Sequence, residues 1–338
     1  MGRAAAECVR RENRRAGRRR ELDEARAFGA LSRRRQAGWD RSHRRVGCLH
    51  RNVECTLRTA RRPRLDSARD RRRRADVLGC AQPPGLPLTR IAVVTGASSG
   101  IGAAIARLLA ERGWHTVLLA RREDRLRALA AEVGGEYEVC DVGRREEIER
   151  VAANVLERHP EIQLLVNNAG IPGRRSFTEI DLDRLEEVLR VNYLGAVWCL
   201  RAFLPALEAA GRSDVVNIVS VAGAVAFGPA GPYSASKHAE LAFSRSTAAE
   251  LRSRGIHVHT VNPGFVETEG FPQATVLRSA LMRRLVVEPE HIAKHVLDVI
   301  ERDKRETFVP ALYRFAAIAQ AVAPGLVARI ASRSGYRL

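Results

Sequence analysis

No run of apolar residues in this 338-residue chain approaches the roughly 18–20 that a membrane-spanning helix needs. The longest candidate, Phe315–Ala328, is too short and is interrupted by Pro324 and Gly325. The N-terminus carries charge but no apolar core, so it does not read as a secretion signal. Paired cysteines are missing too. Cys8, Cys48, Cys55, Cys80, Cys140 and Cys199 form no C-x-x-C pair. Cys48, His50 and Cys55 come nearest to a ligand set, but their spacing is looser than zinc sites show, so no metal is expected. Cys140 and Cys199 lie in apolar stretches and read as reduced core residues, which suits a reducing cytoplasm. Methionine occurs only as Met1 and Met282. Lysine is absent from the first 89 residues, which hold 25 arginines and 10 acids. That stretch carries +15 of the chain's net +18, leaving +3 on the rest, an ordinary soluble balance.

Residues 1–88 show arginine clusters at Arg18–Arg20, Arg33–Arg35 and Arg71–Arg74 without sustained helical or strand periodicity. Such a segment buries too little apolar surface to offset its ordering entropy, so it reads as disordered. Three origins compete. Arginine clusters neutralise nucleic-acid phosphates, and they bind anionic membrane surfaces. Arginine without lysine is also what GC-rich DNA encodes in almost any frame, so a start assigned too far upstream would append such a stretch, with translation beginning near Leu88. No nucleic-acid binding is expected of the remainder.

From Thr89 the texture changes, and with 45% hydrophobic residues in the whole chain a full core is available. Strands are predicted at Ile91–Thr95, His115–Ala120, Tyr137–Cys140, Ile162–Asn167, Asp214–Ser220, Ile256–Asn262 and Thr307–Val309. Helices are predicted at Ile101–Arg112, Glu123–Glu132, Arg144–His159, Asp181–Ala210, Pro232–Arg254 and Pro289–Arg302. Alternating strands and helices argue a parallel sheet covered on both faces, and near-continuous apolar strands fit burial on both sides. The predicted fold is α/β: a single doubly wound, Rossmann-type domain over 89–310, followed by an amphipathic extension over 311–338.

Thr95-Gly96-Ala97-Ser98-Ser99-Gly100-Ile101-Gly102 lies between the first strand and the first helix. Gly96 permits a tight turn, Gly100 lets backbone approach a pyrophosphate, and Gly102 lets the helix pack close to the sheet. The helix N-terminus offers free N–H groups to phosphates. The spacing G-x-x-x-G-x-G, headed by threonine, resembles the short-chain dehydrogenase/reductase family. Further motifs follow in order: Asp141-Val142 after the third strand, Asn167-Asn168-Ala169-Gly170, Asn192 in a helix, Ser220 ending the fifth strand, Tyr233-Ser234-Ala235-Ser236-Lys237, and Pro263-Gly264 with Val266 and Thr268 beyond. The resemblance spans roughly residues 90–310. It implies a dinucleotide-dependent oxidoreductase with Asn192, Ser220, Tyr233 and Lys237 as the catalytic set. It implies cofactor contacts from Gly96, Ser98, Ser99, Gly100, Ile101, Gly102, Asp141, Val142, Asn168, Ala169, Gly170, Tyr233, Lys237, Pro263, Gly264, Val266 and Thr268.

The residue types suit the chemistry. Tyr233 and Lys237 are four apart and share one helix face. A free tyrosine, with a pKa near ~10, is a poor base at neutral pH, and a nearby ammonium favours its phenolate. Tyr233 would then give a proton to a carbonyl oxygen or take one from an alcohol. Ser220 would hydrogen-bond the substrate oxygen. By resemblance, Lys237 holds the nicotinamide ribose and Asn192 a water that relays protons to it. Asn167, Asn168 and Asn262 also suit bonding to backbone at strand ends. His238 falls off the Tyr233–Lys237 face and reads as surface or packing.

After the second strand, about 20 residues past the glycine turn, an NAD-selective site wants a carboxylate. Arg121 and Arg122 stand there instead, with no acid before Glu123. Charge favours NADP(H) over NAD(H), Arg121 and Arg122 pairing with the 2′-phosphate. The expected substrate is a small carbonyl or alcohol compound. Phe265, Phe271, Pro272, Val276, Leu277, Leu281 and Met282 suggest a hydrophobic one, or a lid packed on the core. The tail Leu312–Leu338 mixes apolar residues with Arg314, Arg329, Arg333 and Arg337. It suits packing against the core or a partner subunit of a homodimer or homotetramer, or peripheral contact with a membrane. The competing function is a non-catalytic dinucleotide sensor or scaffold on the same fold, which has no need of a Ser–Tyr–Lys–Asn set.

Overall fold

The computed structural model describes residues 90–173, 175, 177–226, 230–269 and 286–333, with backbone alone for 330–333. The arginine-rich stretch 1–89 and, in the segment after Pro263-Gly264, Phe271, Pro272, Val276, Leu277, Leu281 and Met282 lie outside the described residues. All described residues belong to the compact unit Gln82–Leu338.

The apolar run Arg90–Thr95 forms β1, buried from Ile91 onward. It is followed by α1 (Gly100–Glu111), β2 (Trp114–Ala120), α2 (Glu123–Val133), β3 (Glu136–Val139), α3 (Arg145–Arg158) and β4 (Leu164–Asn167). Then come α4 (Leu182–Leu189), a π-helical turn (Arg190–Leu194), α5 (Gly195–Ala209), β5 (Ser213–Ile218), a 3₁₀ turn (Val221–Gly223) and α6 (Gly231–Glu250). The chain continues through β6 (Ile256–Pro263), β7 (Phe265–Val266), β8 (Val286–Val287), α7 (Pro289–Glu301), β9 (Glu306–Val309), α8 (Tyr313–Val322) and α9 (Pro324–Arg333). The seven-stranded sheet runs β3-β2-β1-β4-β5-β6-β9, every neighbouring pair parallel. A separate short parallel pair joins β7 and β8.

Strand alternation divides the core in two. Ala92 and Val94 of β1, with Leu118 and Ala120 of β2, pack against α1, α2 and α7. Ile91 and Val93, with Val117 and Leu119, pack on the other face against α3 and α5. Successive strand residues point to opposite faces, so a sheet covered twice needs apolar residues at every position. This is the doubly wound architecture that the strand–helix alternation predicts.

One predicted element is not continuous. The helix expected over 181–210 is broken at its centre by the π turn carrying Asn192. Such turns occur inside α-helices and are frequent at functional sites. The strand order reverses beside β1, whose neighbours are β2 and β4. The crevice outside the carboxyl ends of those strands is where a doubly wound sheet binds its ligand.

Candidate functional site

The glycine turn leaves β1 with Gly96 at φ +66° and Gly100 at φ +56°. Thr95 braces it. Its Oγ1 donates to the Val166 carbonyl at 3.2 Å and accepts the N–H groups of Asn168 and Ala169 at 2.9 and 3.1 Å. The Asn168 carboxamide donates to the carbonyls of Thr95 and Gly96 at 2.9 and 3.3 Å, the strand-end backbone bonding expected of it. A Cβ on Gly102 would come within 2.5 Å of both the Gly96 carbonyl oxygen and Asn168 Nδ2. One on Gly100 would meet the Thr268 methyl at 3.0 Å. The start of α1 receives no side-chain cap from Ser99 and has no acid in its first turn. Its N–H groups and positive dipole end therefore suit an anion. We expect Gly102→Ala to cost about 1–3 kcal/mol, because the obstruction is backbone rather than a flexible side chain. Unchanged melting temperature together with unchanged dinucleotide affinity would refute this account of the turn.

Arginine meets the turn directly. Arg122 donates to Ser98 Oγ at 3.1 and 3.0 Å and to Ser99 Oγ at 2.6 Å. Arg122, rather than the exposed Arg121, is the arginine bonded there. Glu269, which sequence reasoning missed, accepts from Arg122 at 3.2 Å and pairs with Arg125. Thr268 against Gly100 and Glu269 on these arginines thus lie beside the turn.

Asp141 follows β3, and its Oδ1 accepts the Gly143 N–H at 2.9 Å. Val142 is buried and its carbonyl lies under Gly195. Gly264 donates to the Val309 carbonyl at 2.8 Å, and a Cβ there would strike the Tyr313 ring. Val266 is buried. The Asn262 carboxamide donates to the Thr307 carbonyl at 3.2 Å.

Helix α6 carries the Tyr233–Lys237 pair. Lys237 is buried, 3% exposed, and its ammonium donates to the Ile218 carbonyl at 3.0 Å and to Glu240 Oε2 at 2.5 Å. Two of its three donors are thereby used. Burial disfavours its charge, but the carboxylate of Glu240 and then Tyr233 outweigh that, and its pKa stays raised. Burial pushes the Glu240 carboxyl up to about 7, although the Lys237 ammonium opposes the shift. Glu240 is the second residue sequence reasoning missed. Its signal was available: an acid three positions after a lysine on the same helix face.

Three elements converge on this pair. Ser220 caps the 3₁₀ turn, its Oγ accepting the Ala222 N–H at 3.1 Å. A Cβ on Gly223 would lie 2.7 Å from the Lys237 carbonyl, so the turn is pressed onto α6. The fully buried Asn192 accepts from the Ile171 N–H at 2.8 Å and donates to the Ile171 carbonyl and to Ser236 Oγ. A Cβ on Gly170 would be 3.4 Å from Asn192 Oδ1 and 3.9 Å from Lys237 Nζ. The structure thus joins Gly96, Asn168–Gly170, Asn192, Lys237 and the Ser220 turn in one region. Beneath it, Asn167 donates to Asn217, Asn217 to Ser244, and Ser244 bonds Thr260, tying β4, β5, α6 and β6. His238 is exposed and bonds back to Ser234, away from the pair, as expected.

Cys140 and Cys199 are buried free thiols, and burial pushes the Cys140 thiol up to about 12. At the amino ends of β2 and β3, far along the strands from this region, His115, Glu136 and His159 gather ligand-type atoms within 4.8 Å of one another. Glu136 is there shared among both histidines and Arg158.

A family model described as "short chain dehydrogenase" matches residues 90–275. A putative ketoacyl reductase of Streptomyces coelicolor is 38% identical over 197 residues, covering 56% of this chain and 74% of that protein. The structure of an alcohol dehydrogenase from the archaeon Thermococcus sibiricus, complexed with 5-hydroxy-NADP, is similar at a TM-score of 0.59 with 30% identity, covering 65% of this chain and 95% of that one. An actinorhodin polyketide ketoreductase with NADPH is similar at 0.58 with 33% identity, covering 63% and 90%. This chain therefore belongs to the short-chain dehydrogenase/reductase family and is an oxidoreductase of the nicotinamide-dinucleotide-dependent class.

Proposed function

We propose that the enzyme interconverts a carbonyl compound and its secondary alcohol, prefers NADP(H), and uses Tyr233, Lys237, Ser220 and Asn192. The observation that carries this reading is the buried Lys237 ammonium, held by the Ile218 carbonyl and Glu240 one helical turn from Tyr233 on α6. The relatives support it: a putative ketoacyl reductase, an alcohol dehydrogenase and a polyketide ketoreductase.

The residues present fit the dinucleotide. The glycine turn closes through contacts a Cβ would obstruct, and the uncapped helix start and the Ser98–Ser99–Arg122 cluster favour phosphate. When bound, the nicotinamide supplies or accepts the hydride. Tyr233 gives its proton to the carbonyl oxygen in reduction and takes one from the hydroxyl in oxidation. Lys237 favours the phenolate of Tyr233 and holds the ribose with its remaining donor. Ser220 donates to the substrate oxygen as charge develops. Asn192 fixes the Ile171 loop and Ser236, and so shapes the wall facing Lys237. Screening ketones, aldehydes and alcohols by NADPH absorbance tests the reading; absence of turnover across the panel overturns it.

The NADP preference rests on arginine at the turn, supported by the two solved relatives that hold NADPH and 5-hydroxy-NADP. Arg121→Asp places a carboxylate where it would accept a hydrogen bond from an adenosine 2′-hydroxyl and would repel a 2′-phosphate. With Arg122→Leu added, the NADPH/NADH ratio of kcat/KM should fall by roughly 10²-fold, near 1.4 kcal/mol for each lost charge contact. An unchanged ratio in the double variant discredits the assignment.

A further inference from the structure

From the outer side of α8 and α9 we propose a docking surface for an anionic lipid bilayer. Eight large apolar side chains are exposed among the described residues, and five of them fall between 312 and 326: Leu312, Phe315, Ile318, Val322 and Leu326, at 51–80% exposure. At 100° per residue, Leu312, Phe315, Ile318 and Val322 span an arc of about 120° on α8. Leu326, beyond Pro324 in α9, is also exposed. The opposite side holds the helices to the body. Tyr313 is buried, crosses Phe265 edge-on at 6.4 Å and packs on Gly264, while Val327 joins the cluster of Val221, Val225 and Tyr313. The stripe therefore does not pack on the core.

Charge selects the occupant. After Glu306 the chain has no acid, while Arg314, Arg329, Arg333 and Arg337 give residues 307–338 a net +4. Residues 90–306 carry −1. The net positive charge of the chain beyond residue 89 is thus confined to the segment bearing the stripe, and the Arg314 guanidinium lies 5.1 Å over the Phe315 ring. In a two-fold contact between copies the same patch faces itself, so arginine would meet arginine, and residues 307–338 contribute no acid to offset it. An anionic bilayer meets both halves of the surface, burying the aliphatic stripe below its headgroups and pairing the arginines with phosphates. The helices lie in the plane of such a surface, since no helix among the described residues is long and apolar enough to cross a membrane. Bound this way, the enzyme would turn the side carrying Gly264 and Phe265 toward the lipid.

Vesicle flotation of the full chain tests the proposal, with phosphatidylglycerol mixed into phosphatidylcholine against phosphatidylcholine alone. Because residues 1–89 are themselves basic, the decisive reading compares variants that share them. Phe315→Ser with Val322→Ser leaves every charge in place and should weaken binding to anionic vesicles by roughly tenfold or more. Arg314→Gln with Arg329→Gln should weaken it by roughly fivefold for each arginine and leave any residual binding to neutral vesicles unchanged. Melting temperature and turnover should match the parent in both variants, showing that the stripe rather than the fold was altered. Equal vesicle binding by parent and stripe variant overturns the proposal. So does a stripe variant that changes the oligomeric state in light scattering while floating like the parent, which would make a second copy the occupant.

Discussion

Tyr233→Phe should lower turnover by about 10²–10⁴-fold, the range for loss of a positioned general acid–base group, while NADPH still quenches protein fluorescence with near-parental affinity. The change removes one oxygen and keeps the ring. The phenol is only partly buried, so deleting its hydroxyl opens no core cavity. Lys237 keeps its bonds to the Ile218 carbonyl and to Glu240, so the lysine that would hold the ribose stays in place. That separation makes Tyr233→Phe a cleaner probe than any change at Lys237. Removing the lysine strands a buried carboxylate, and breaking such a pair costs about 3–5 kcal/mol. Activity within tenfold of the parent would show that the proton travels by another group. Lost cofactor binding would show that the tyrosine serves the dinucleotide instead.

Much of this architecture was legible because burial on two faces leaves a plain record. Ile91–Thr95, Leu164–Asn167 and Asp214–Ile218 are apolar or small at nearly every position, and only a doubly covered sheet requires that. The glycine turn was legible because the missing side chains are themselves the requirement: backbone stands where Cβ atoms would be. What escaped were features fixed by tertiary contact. The π turn at Asn192 inserts a residue into the helix without altering the side-chain types around it. That Arg122 rather than Arg121 bonds the turn depends on how α2 begins, and Glu269 reaches it from 147 residues away. The tail offered two readings, core or subunit packing against membrane contact. Only the folded arrangement shows that Tyr313 and Val327 face inward while Phe315 and Val322 face out.

Glu240 is the residue whose replacement should most alter the enzyme's response to pH. It is 1% exposed, and the charged groups acting on the pair are few: Lys237 on Glu240, and Glu240 with Tyr233 on Lys237. Its carboxyl is raised from an ordinary 4.5 to about 7 in the folded protein. Between those values the folded state holds a proton that the unfolded chain has released, so this group's contribution to stability is complete below about 4.5 and is lost as pH rises through 7. The interval corresponds to about 3 kcal/mol. Subtracting the unfolding free energy of Glu240→Gln from that of the parent cancels the other titrating groups, and the difference should fall by that order across the window. A flat difference would mean that the carboxyl does not titrate there. Catalysis should respond as well. With Gln at 240 the carboxylate that offsets burial at Lys237 is gone, so the lysine gives up its charge more readily and less of that charge acts on Tyr233. The acid limb of alcohol oxidation should then move to higher pH in the variant, whereas a merely structural residue would lower the whole profile without displacing it. A limb that stays in place, or moves toward lower pH, removes Glu240 from the control of the tyrosine.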